Sequence, residues 1–451
     1  MKTIKRAVAF LLCLTVVLIQ PCAVSAAAQS PFAVVVQVLG GGGGTVRAYE
    51  EAYPDNLYLS LSDLSRALKG TSKQYCFEYH AADSYFSIST GKTPTTEEGL
   101  PATTARGNAA DLDLTRSRLF IDGSERRYYT YRYENKDLYM SLTDIQLILD
   151  LTATVTEDGT VILDPSEPFA PDIRQLKEEG FFDAVNGILL GDADTGEILF
   201  YKDAHRAWPI ASLSKLMSYL LLCEAADRGE ISFSDTVTVT AESDRISRSA
   251  DGMIPMSIGA KIPFEEMVNA MLLCSSNEAA SSLAAHATGS SEAFVERMNT
   301  RARELGLFTA RFYTPNGLPA YQGGSIAAKM QNKMSALDLF CLCSEILARY
   351  PRITAVTSQQ YATMSTLKYS TSNTNTLVFN LPGVTGLKTG STNRAGYCVA
   401  VSMPVTSGGS THDVVLVVLG AETPELRGRV SEILLRWAQD YYEQNGFRSA
   451  S

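Results

Sequence analysis

Residues 210–218 read Ile210-Ala211-Ser212-Leu213-Ser214-Lys215-Leu216-Met217-Ser218, and Tyr219 to Ala226 continue them with Leu220, Leu221, Leu222 and Cys223. This is an apolar helix with Ser212 at its start and Lys215 one turn on, so the two side chains share a face. A serine hydroxyl becomes a useful nucleophile only when a neighbour takes its proton. A lysine can do so only when neutral, and both the positive end of a helix dipole and burial favour its neutral form. The stretch therefore reads as a nucleophile with its base.

Two further motifs turn this common spacing into a specific signal. Ser275-Ser276-Asn277 lies 63 residues on (275 − 212), after the apolar run Met271-Leu272-Leu273-Cys274. Lys388-Thr389-Gly390 follows 113 residues later (388 − 275), before the strand-like Tyr397-Cys398-Val399-Ala400-Val401. Ser-x-x-Lys, Ser-x-Asn and Lys-Thr-Gly in this order resemble the penicillin-binding proteins and serine β-lactamases. Pro209-Ile210-Ala211-Ser212, Asn277-Glu278-Ala279-Ala280, Tyr313-Thr314-Pro315-Asn316-Gly317-Leu318, Asn373-Thr374-Asn375 and Pro382-Gly383-Val384-Thr385-Gly386-Leu387 narrow the likeness. From about Asn186 to Gln444 the chain resembles the low-molecular-mass penicillin-binding proteins that act as serine-type D-alanyl-D-alanine carboxypeptidases.

The resemblance implies roles. Ser212 would attack the carbonyl joining two D-alanines, with Lys215 as base, to give an acyl-enzyme that water hydrolyses. Ser275 would relay the proton to the departing D-alanine, and Asn277 would hold the acyl side chain and Lys215. Lys388 would keep the site positive, Gly390 completes its motif, and the backbone N–H groups of Ser212 and Ser391 would bind the oxyanion. Thr389 and Arg427 would take the terminal carboxylate, with Arg429 a rival for the arginine's part. No cofactor or metal is implied. The partners are a peptidoglycan stem peptide ending in D-Ala-D-Ala and β-lactams as covalent inhibitors.

Three features depart from the family pattern. Ser276 stands where glycine is frequent, which would stiffen the turn holding Ser275. Ala320 to Lys333 is longer than usual and would reshape one cleft wall. No second β-domain or amphipathic anchor is expected after the last helix, so the accessory module would sit in front. The class A β-lactamase reading fails for want of a Glu-x-x-Leu-Asn loop between the second and third motifs. A D,D-endopeptidase is not separated from a carboxypeptidase by these residues, and a noncatalytic wall-binding or β-lactam-sensing protein would not need all three motifs.

Met1 to Ala26 reads as a secretory signal: Lys2, Lys5 and Arg6, an apolar run from Ala7 to Ile19, Pro21, and the small-residue site Val24-Ser25-Ala26. The run is short for a membrane span, and Gln20-Pro21 fits poorly with a lipid on Cys22. Export is expected, without membrane anchoring beyond the signal. The whole 451-residue chain carries −10, and loss of the three basic residues gives −13, which argues against nucleic acid as a partner. The remaining cysteines lie mostly in apolar runs, have no CxxC pair and read as buried free thiols. The four histidines show no metal-ligand spacing.

Residues 27–164 form a different, β-rich part with an internal echo. Asn56-Leu57-Tyr58-Leu59-Ser60-Leu61-Ser62-Asp63-Leu64 matches Asp137-Leu138-Tyr139-Met140-Ser141-Leu142-Thr143-Asp144-Ile145 at an offset of 81. Each copy predicts a strand, a short helix through Leu64–Leu68 or Ile145–Leu149 capped by Ser62-Asp63 or Thr143-Asp144, and then a β-pair. With Lys69-Gly70-Thr71-Ser72-Lys73, this half resembles the noncatalytic domain at the amino end of some copper amine oxidases, also found on secreted wall proteins. The likeness brings no copper site, and implies a spacer or a contact with wall polymer or protein. Gly40 to Gly44 reads as a flexible turn. A polar connection spans Leu100 to Ser117, and residues 165–185, with Pro165, Pro168 and Pro171, form a linker.

The expected architecture is thus α/β (α+β): a small two-repeat α+β module, then a DD-peptidase/β-lactamase-like domain over 186–446. That domain would have one antiparallel sheet built from its two ends and flanked by helices. A hairpin is predicted over Asn186–Tyr201, and helices over Ser212–Ala226, Phe264–Cys274, Glu278–Ala287, Glu292–Leu305 and Gly428–Gln444. Strands are expected to return only after Leu387.

Overall fold

The computed structural model describes residues 32–50, 57–94, 113–116, 118–133, 136–169, 172–178, 180–322, 325–326 and 330–447. The expected signal, and most of the polar connection Leu100 to Ser117, lie outside these residues.

In the rear half, Gly187–Asp192 and Ile198–Lys202 form the predicted hairpin. They join Ser410–Ala421, Gly396–Ser407 and Gly386–Thr392 in one antiparallel five-stranded sheet, and Gly187–Asp192 lies against Ser410–Ala421. The run Val414 to Leu419 is apolar at every position because both faces are covered. Val415, Val417 and Leu419 enter the core under the central helices, while Val414, Leu416 and Val418 enter the core under the last helix, Pro424–Asn445. Alternation of side chains across a strand divides the run between the two layers.

The helices Ser214–Asp227, Phe264–Leu273, Asn277–Thr288 and Ser291–Glu304 match the predicted ones to within two residues at each end. The last helix begins four residues before its predicted start, at Pro424, where Thr423 accepts from the Leu426 N–H as its cap. Strands are not confined to the region after Leu387. Among the described residues four short ribbons intervene: Trp208–Pro209 with Lys333–Met334, Thr236–Thr238 with Lys261–Pro263, Tyr321–Gln322 with Ser325–Ile326, and Tyr361–Met364 with Tyr369–Ser372. Two- to four-residue ribbons bury too little to leave a period-2 pattern. Within the expected linker, Ile173–Glu178 is helical, and Phe182 and Val185 are buried in the core under the last helix.

The front half contains an eight-stranded sheet at whose centre the two copies meet. Leu57–Ser60 pairs antiparallel with Asp137–Ser141, so matching strands face each other about a local two-fold relation. Their helices are Leu61–Ala67 and Leu142–Leu149, starting three residues earlier than predicted. The caps are therefore Ser60 and Ser141, whose hydroxyls accept from the Asp63 and Asp144 N–H groups at 3.1 Å. Ser62-Asp63 and Thr143-Asp144 lie inside the first turn instead, where acidic side chains suit the dipole. The predicted β-pairs are present as Tyr75–His80 with Tyr85–Thr90, and Thr152–Val155 with Val161–Asp164. Gly40 to Gly43 all have positive φ at the turn into Gly43–Glu50. Cys76, Cys223, Cys274, Cys343 and Cys398 are buried free thiols, but Cys341 is exposed on the outer face of Ala336–Arg349.

Candidate active site

Ser212 does not sit on the α-helix itself. It occupies a single 3-10 turn, Ala211–Leu213, that feeds Ser214–Asp227. Three residues complete a 3-10 turn, so Ser212 and Lys215 still align. Lys215 Nζ donates to Ser212 Oγ at 2.7 Å, Asn277 Oδ1 at 2.8 Å and the Asn316 carbonyl at 2.6 Å. Three acceptors match the three protons of an ammonium. In the neutral amine, two bonds remain and the lone pair is left facing Ser212. Lys215 is fully buried; burial, with the nearby Lys388 charge, holds its pKa well below the usual 10.5, against a smaller upward pull from Glu278.

The turn is held under strain. Ala211 has φ +46°, a left-handed conformation costly for a residue with a Cβ. Its carbonyl accepts from Ser214 Oγ at 2.7 Å, and the Ile210 N–H donates to the Asn332 carbonyl at 3.0 Å. Gly317, at φ +88°, lies so close that a Cβ there would fall 2.0 Å from the Ala211 oxygen. On the other side, a Cβ at Gly390 would be 2.8 Å from the Ile210 oxygen and 2.9 Å from the Ser212 nitrogen. Glycine in the Lys-Thr-Gly strand thus lets two backbones meet beside Ser212.

Ser275 links the helices Phe264–Leu273 and Asn277–Thr288 with φ +64°. Ser276 caps the second helix, its hydroxyl accepting from the Ala279 N–H at 3.0 Å. Asn277 bridges two walls, since its Oδ1 receives Lys215 while its Nδ2 donates to the Asp251 carbonyl at 2.8 Å.

A cleft of about 670 Å³ is lined by Ser212, Ser275, Asn277, Thr389, Gly390, Ser391 and Arg427. Lys215 lies beneath it. Lys388 also lies beneath rather than on its wall, 1% exposed, with Nζ donating to the Thr389 carbonyl at 2.9 Å. Burial, helped by the Arg427 charge, brings Lys388 down to about 7. The expected positive charge at this position is therefore partial near neutrality. Arg427 and Arg429 are separated: Arg427 reaches the cleft, whereas Arg429 pairs with Asp144 of the front module. The long segment Ala320 to Lys333 contributes Gln331 to one wall.

Four residues have parts that the sequence motifs did not assign, although Asn316, Thr374 and Glu278 stand within the quoted stretches. Asn316 cages Lys215 through its carbonyl, a role that no side-chain motif can signal. Asn332 fastens the Ser212 turn, with Nδ2 donating to Ser214 Oγ at 2.9 Å and Oδ1 accepting from the Tyr313 N–H at 2.7 Å. Thr374 accepts from Thr389 Oγ1 at 2.7 Å on the cleft wall. Glu278 is fully buried and accepts from the Met253 N–H at 3.0 Å and from the Ile254 N–H, fixing the loop opposite Ser275.

A buried amine on a serine hydroxyl, under a helical layer and beside the edge strand of an antiparallel sheet, defines an active-site-serine acyl-transfer enzyme. Comparison with known proteins gives the family. Residues 182–423 match peptidase S11, D-alanyl-D-alanine carboxypeptidase, and the chain belongs to this family. It is 33% identical over 278 residues to D-alanyl-D-alanine carboxypeptidase DacF of Bacillus subtilis, covering 61% of this chain and 67% of that one. With DacC of Escherichia coli the identity is 28% over 288 residues, or 63% and 68% of the two chains. Among solved structures, the peptidoglycan synthesis regulatory factor PBP3 of Streptococcus pneumoniae aligns with a TM-score of 0.52 at 28% identity, covering 56% of this chain and 73% of that one. Penicillin binding protein 6B of Escherichia coli gives 0.51 at 28% identity, covering 61% and 80%.

Proposed function

We propose that this carboxypeptidase removes the terminal D-alanine from peptidoglycan stem peptides, with Ser212 as nucleophile and Lys215 as its base. The observation that carries the assignment is the 2.7 Å bond from a fully buried lysine amine to a serine hydroxyl at the cleft floor. Neutral Lys215 takes the Ser212 proton as Oγ adds to the carbonyl between the two D-alanines. The N–H groups of Ser212 and Ser391 receive the developing oxyanion. Ser275 passes a proton to the leaving amine, D-alanine departs, and water hydrolyses the ester on Ser212.

Asn277 holds Lys215 and the acyl chain, and Thr389 with Arg427 takes the terminal carboxylate. An arginine suits that carboxylate because its planar fork can donate two parallel bonds. A β-lactam offers the same carbonyl and carboxylate but keeps its leaving amine tethered, so it would acylate Ser212 and stay. The front module acts beside this chemistry, and its resemblance to a wall-protein module fits a contact with the same polymer. Export through the segment Met1 to Ala26 would bring the enzyme to its substrate. Among the described residues no helix is long and apolar enough to cross a membrane.

The test is D-alanine release from a pentapeptide ending in D-Ala-D-Ala, with mass spectrometry of the penicillin-treated protein. Release and a penicilloyl adduct on Ser212 are expected. An adduct without release refutes the carboxypeptidase reading for that peptide, and an adduct elsewhere refutes the nucleophile.

A further inference from the structure

The front module grips the catalytic domain at Tyr361 on the ribbon strand Tyr361–Met364, which bonds Glu125 and Arg127, and at the two elements that carry the carboxylate end of the cleft. Asp144 receives Arg429 Nε at 3.1 Å and Nη2 at 3.2 Å, with both side chains less than 5% exposed. Tyr128 donates its hydroxyl to Glu432 on the same catalytic helix at 3.5 Å, and Leu147 is buried in that helix's own apolar cluster. Beside them, Arg126 Nη1 donates to the Phe379 carbonyl at 2.8 Å. The Arg127 N–H donates to Asn380 Oδ1 at 2.7 Å, and Asn380 Nδ2 donates back to the Arg127 carbonyl at 3.0 Å. The Arg127 guanidinium stacks 3.9 Å from the Phe379 ring centre.

Two of the gripped elements run into the cleft. Arg429 stands two residues after Arg427 on Pro424–Asn445. Phe379 and Asn380 end the short helix Leu377–Asn380. Just before that helix, Thr374 bonds Thr389, and Asn375 Nδ2 donates to the Gly386 carbonyl at 3.0 Å. Among the described residues the module touches neither Ser212 nor Lys215, but braces both supports of the carboxylate subsite.

The repeat shows where this brace comes from. Asp63 holds the equivalent place in the first copy and pairs inside the module with Arg47, at 2.7 Å. The register that sets Ala48 opposite Leu59 sets Tyr131 opposite Tyr139, which puts Tyr129 where Arg47 would stand in the second copy. The second copy's strand offers no arginine at that point, and the catalytic helix supplies Arg429 instead. A buried carboxylate without its cation is costly, so the two domains complete each other's ion pair.

We infer that Asp144, acting through Arg429, is a positioning residue for Arg427, and that the front module is a structural part of the subsite for the substrate's terminal carboxylate. This rests on the assignment of that carboxylate to Arg427. The experiment compares two peptides, one ending in D-Ala-D-Ala as the free acid and one as the terminal amide, on the full chain and on Asp144→Asn, Arg126→Met and Arg427→Gln. The readout is the acid-to-amide ratio of kcat/KM. Arg427→Gln should remove most of the preference for the acid. Asp144→Asn should lower it by about 5-fold, the scale of coupling within one bonded network, through KM for the acid and with kcat for the amide unchanged. Arg126→Met leaves the buried ion pair intact and should lower the ratio in the same sense, so it carries the test if Asp144→Asn does not fold. If Arg427→Gln lowers the ratio while the folded module variants leave it unchanged, the inference is wrong. If Arg427→Gln itself leaves the ratio unchanged, the reading beneath it is wrong.

Discussion

The contact at Gly390 allows one substitution to be worked through. In Gly390→Ala the new methyl would stand 2.8 Å from the Ile210 oxygen, 2.9 Å from the Ser212 nitrogen and 3.1 Å from the Leu213 nitrogen. All three are backbone atoms, so no rotamer change relieves the clash. Carbon contacts settle near 3.5 Å, so the strand and the nucleophile turn must part by roughly 0.5 to 0.7 Å. Overpacking of this kind costs about 1–3 kcal/mol of stability. The greater loss should be in rate, because the two proposed oxyanion donors lie on the two sides of that contact, Ser212 N–H on the turn and Ser391 N–H on the strand. Losing one such donor costs about 3–4 kcal/mol of transition-state stabilisation, so acylation should fall by about 100- to 1000-fold. The assay is the second-order rate of labelling by a fluorescent penicillin, with a thermal melt beside it. Gly428→Ala is the control: it lies on the Arg427 helix with open space at its Cβ position, and should gain about 0.5–1 kcal/mol from helix propensity. A Gly390→Ala protein that labels within about threefold of the parent would refute the argument that this contact sets the donor spacing.

Ser212→Ala should abolish both D-alanine release and the penicilloyl adduct while keeping the parent's near-ultraviolet circular dichroism; any remaining adduct would displace Ser212 from its role. Glu278→Gln removes a negative charge that favours the Lys215 ammonium, so the rising acid limb of the labelling rate against pH should move to lower pH, and a limb that moves upward would contradict the sign. Glu432 is buried at the domain junction near Arg436 on its own helix and Arg126, Asp144 and Tyr128 of the module; burial is the main cause that raises it from 4.5 to about 7. The folded chain then holds a proton that the unfolded chain has released between those two pH values. This contribution to stability is complete below about 4.5, is lost as pH rises toward about 7, and amounts to on the order of 3 kcal/mol. Glu432→Gln should therefore melt with a smaller difference between pH 5 and pH 8 than the parent, and an equal difference would assign the pH dependence elsewhere.

The parts of the site that were legible in the sequence are those in which chemistry demands a side chain at a fixed spacing. Ser212 and Lys215 could be paired because a base must lie within reach of its nucleophile. Gly390 could be placed in the strand motif, although its reason, contact with the Ile210 carbonyl, is visible only in three dimensions. The helices were legible where apolar residues run on through most of their length, as in Ser214–Asp227 and Phe264–Leu273. The caps of the module were not, because Ser60 and Ser62 are equally good capping residues and only strand length decides between them. Asn316 and Glu278 stand in recognisable stretches, but their contacts were hidden: Asn316 works through a backbone carbonyl, and the partners of Glu278 are the N–H groups of a loop 24 and 25 residues earlier.

The domain junction was hidden for a different reason. Asp63 and Asp144 are indistinguishable in the repeat, each the third residue of an equivalent helix capped by an equivalent serine. What separates them is the partner: Arg47 lies 16 residues from Asp63, and Arg429 lies 285 residues from Asp144. A repeated sequence shows that a carboxylate is presented twice, but not that one copy is satisfied at home and the other across an interface. The difference was present in the sequence only as a missing arginine in the second copy, and a missing residue gains meaning once the register shows where it should have stood. The alignment of Leu57–Ser60 with Asp137–Ser141 supplies that register. It makes the front half the neighbour that closes the ion pair two residues from Arg427.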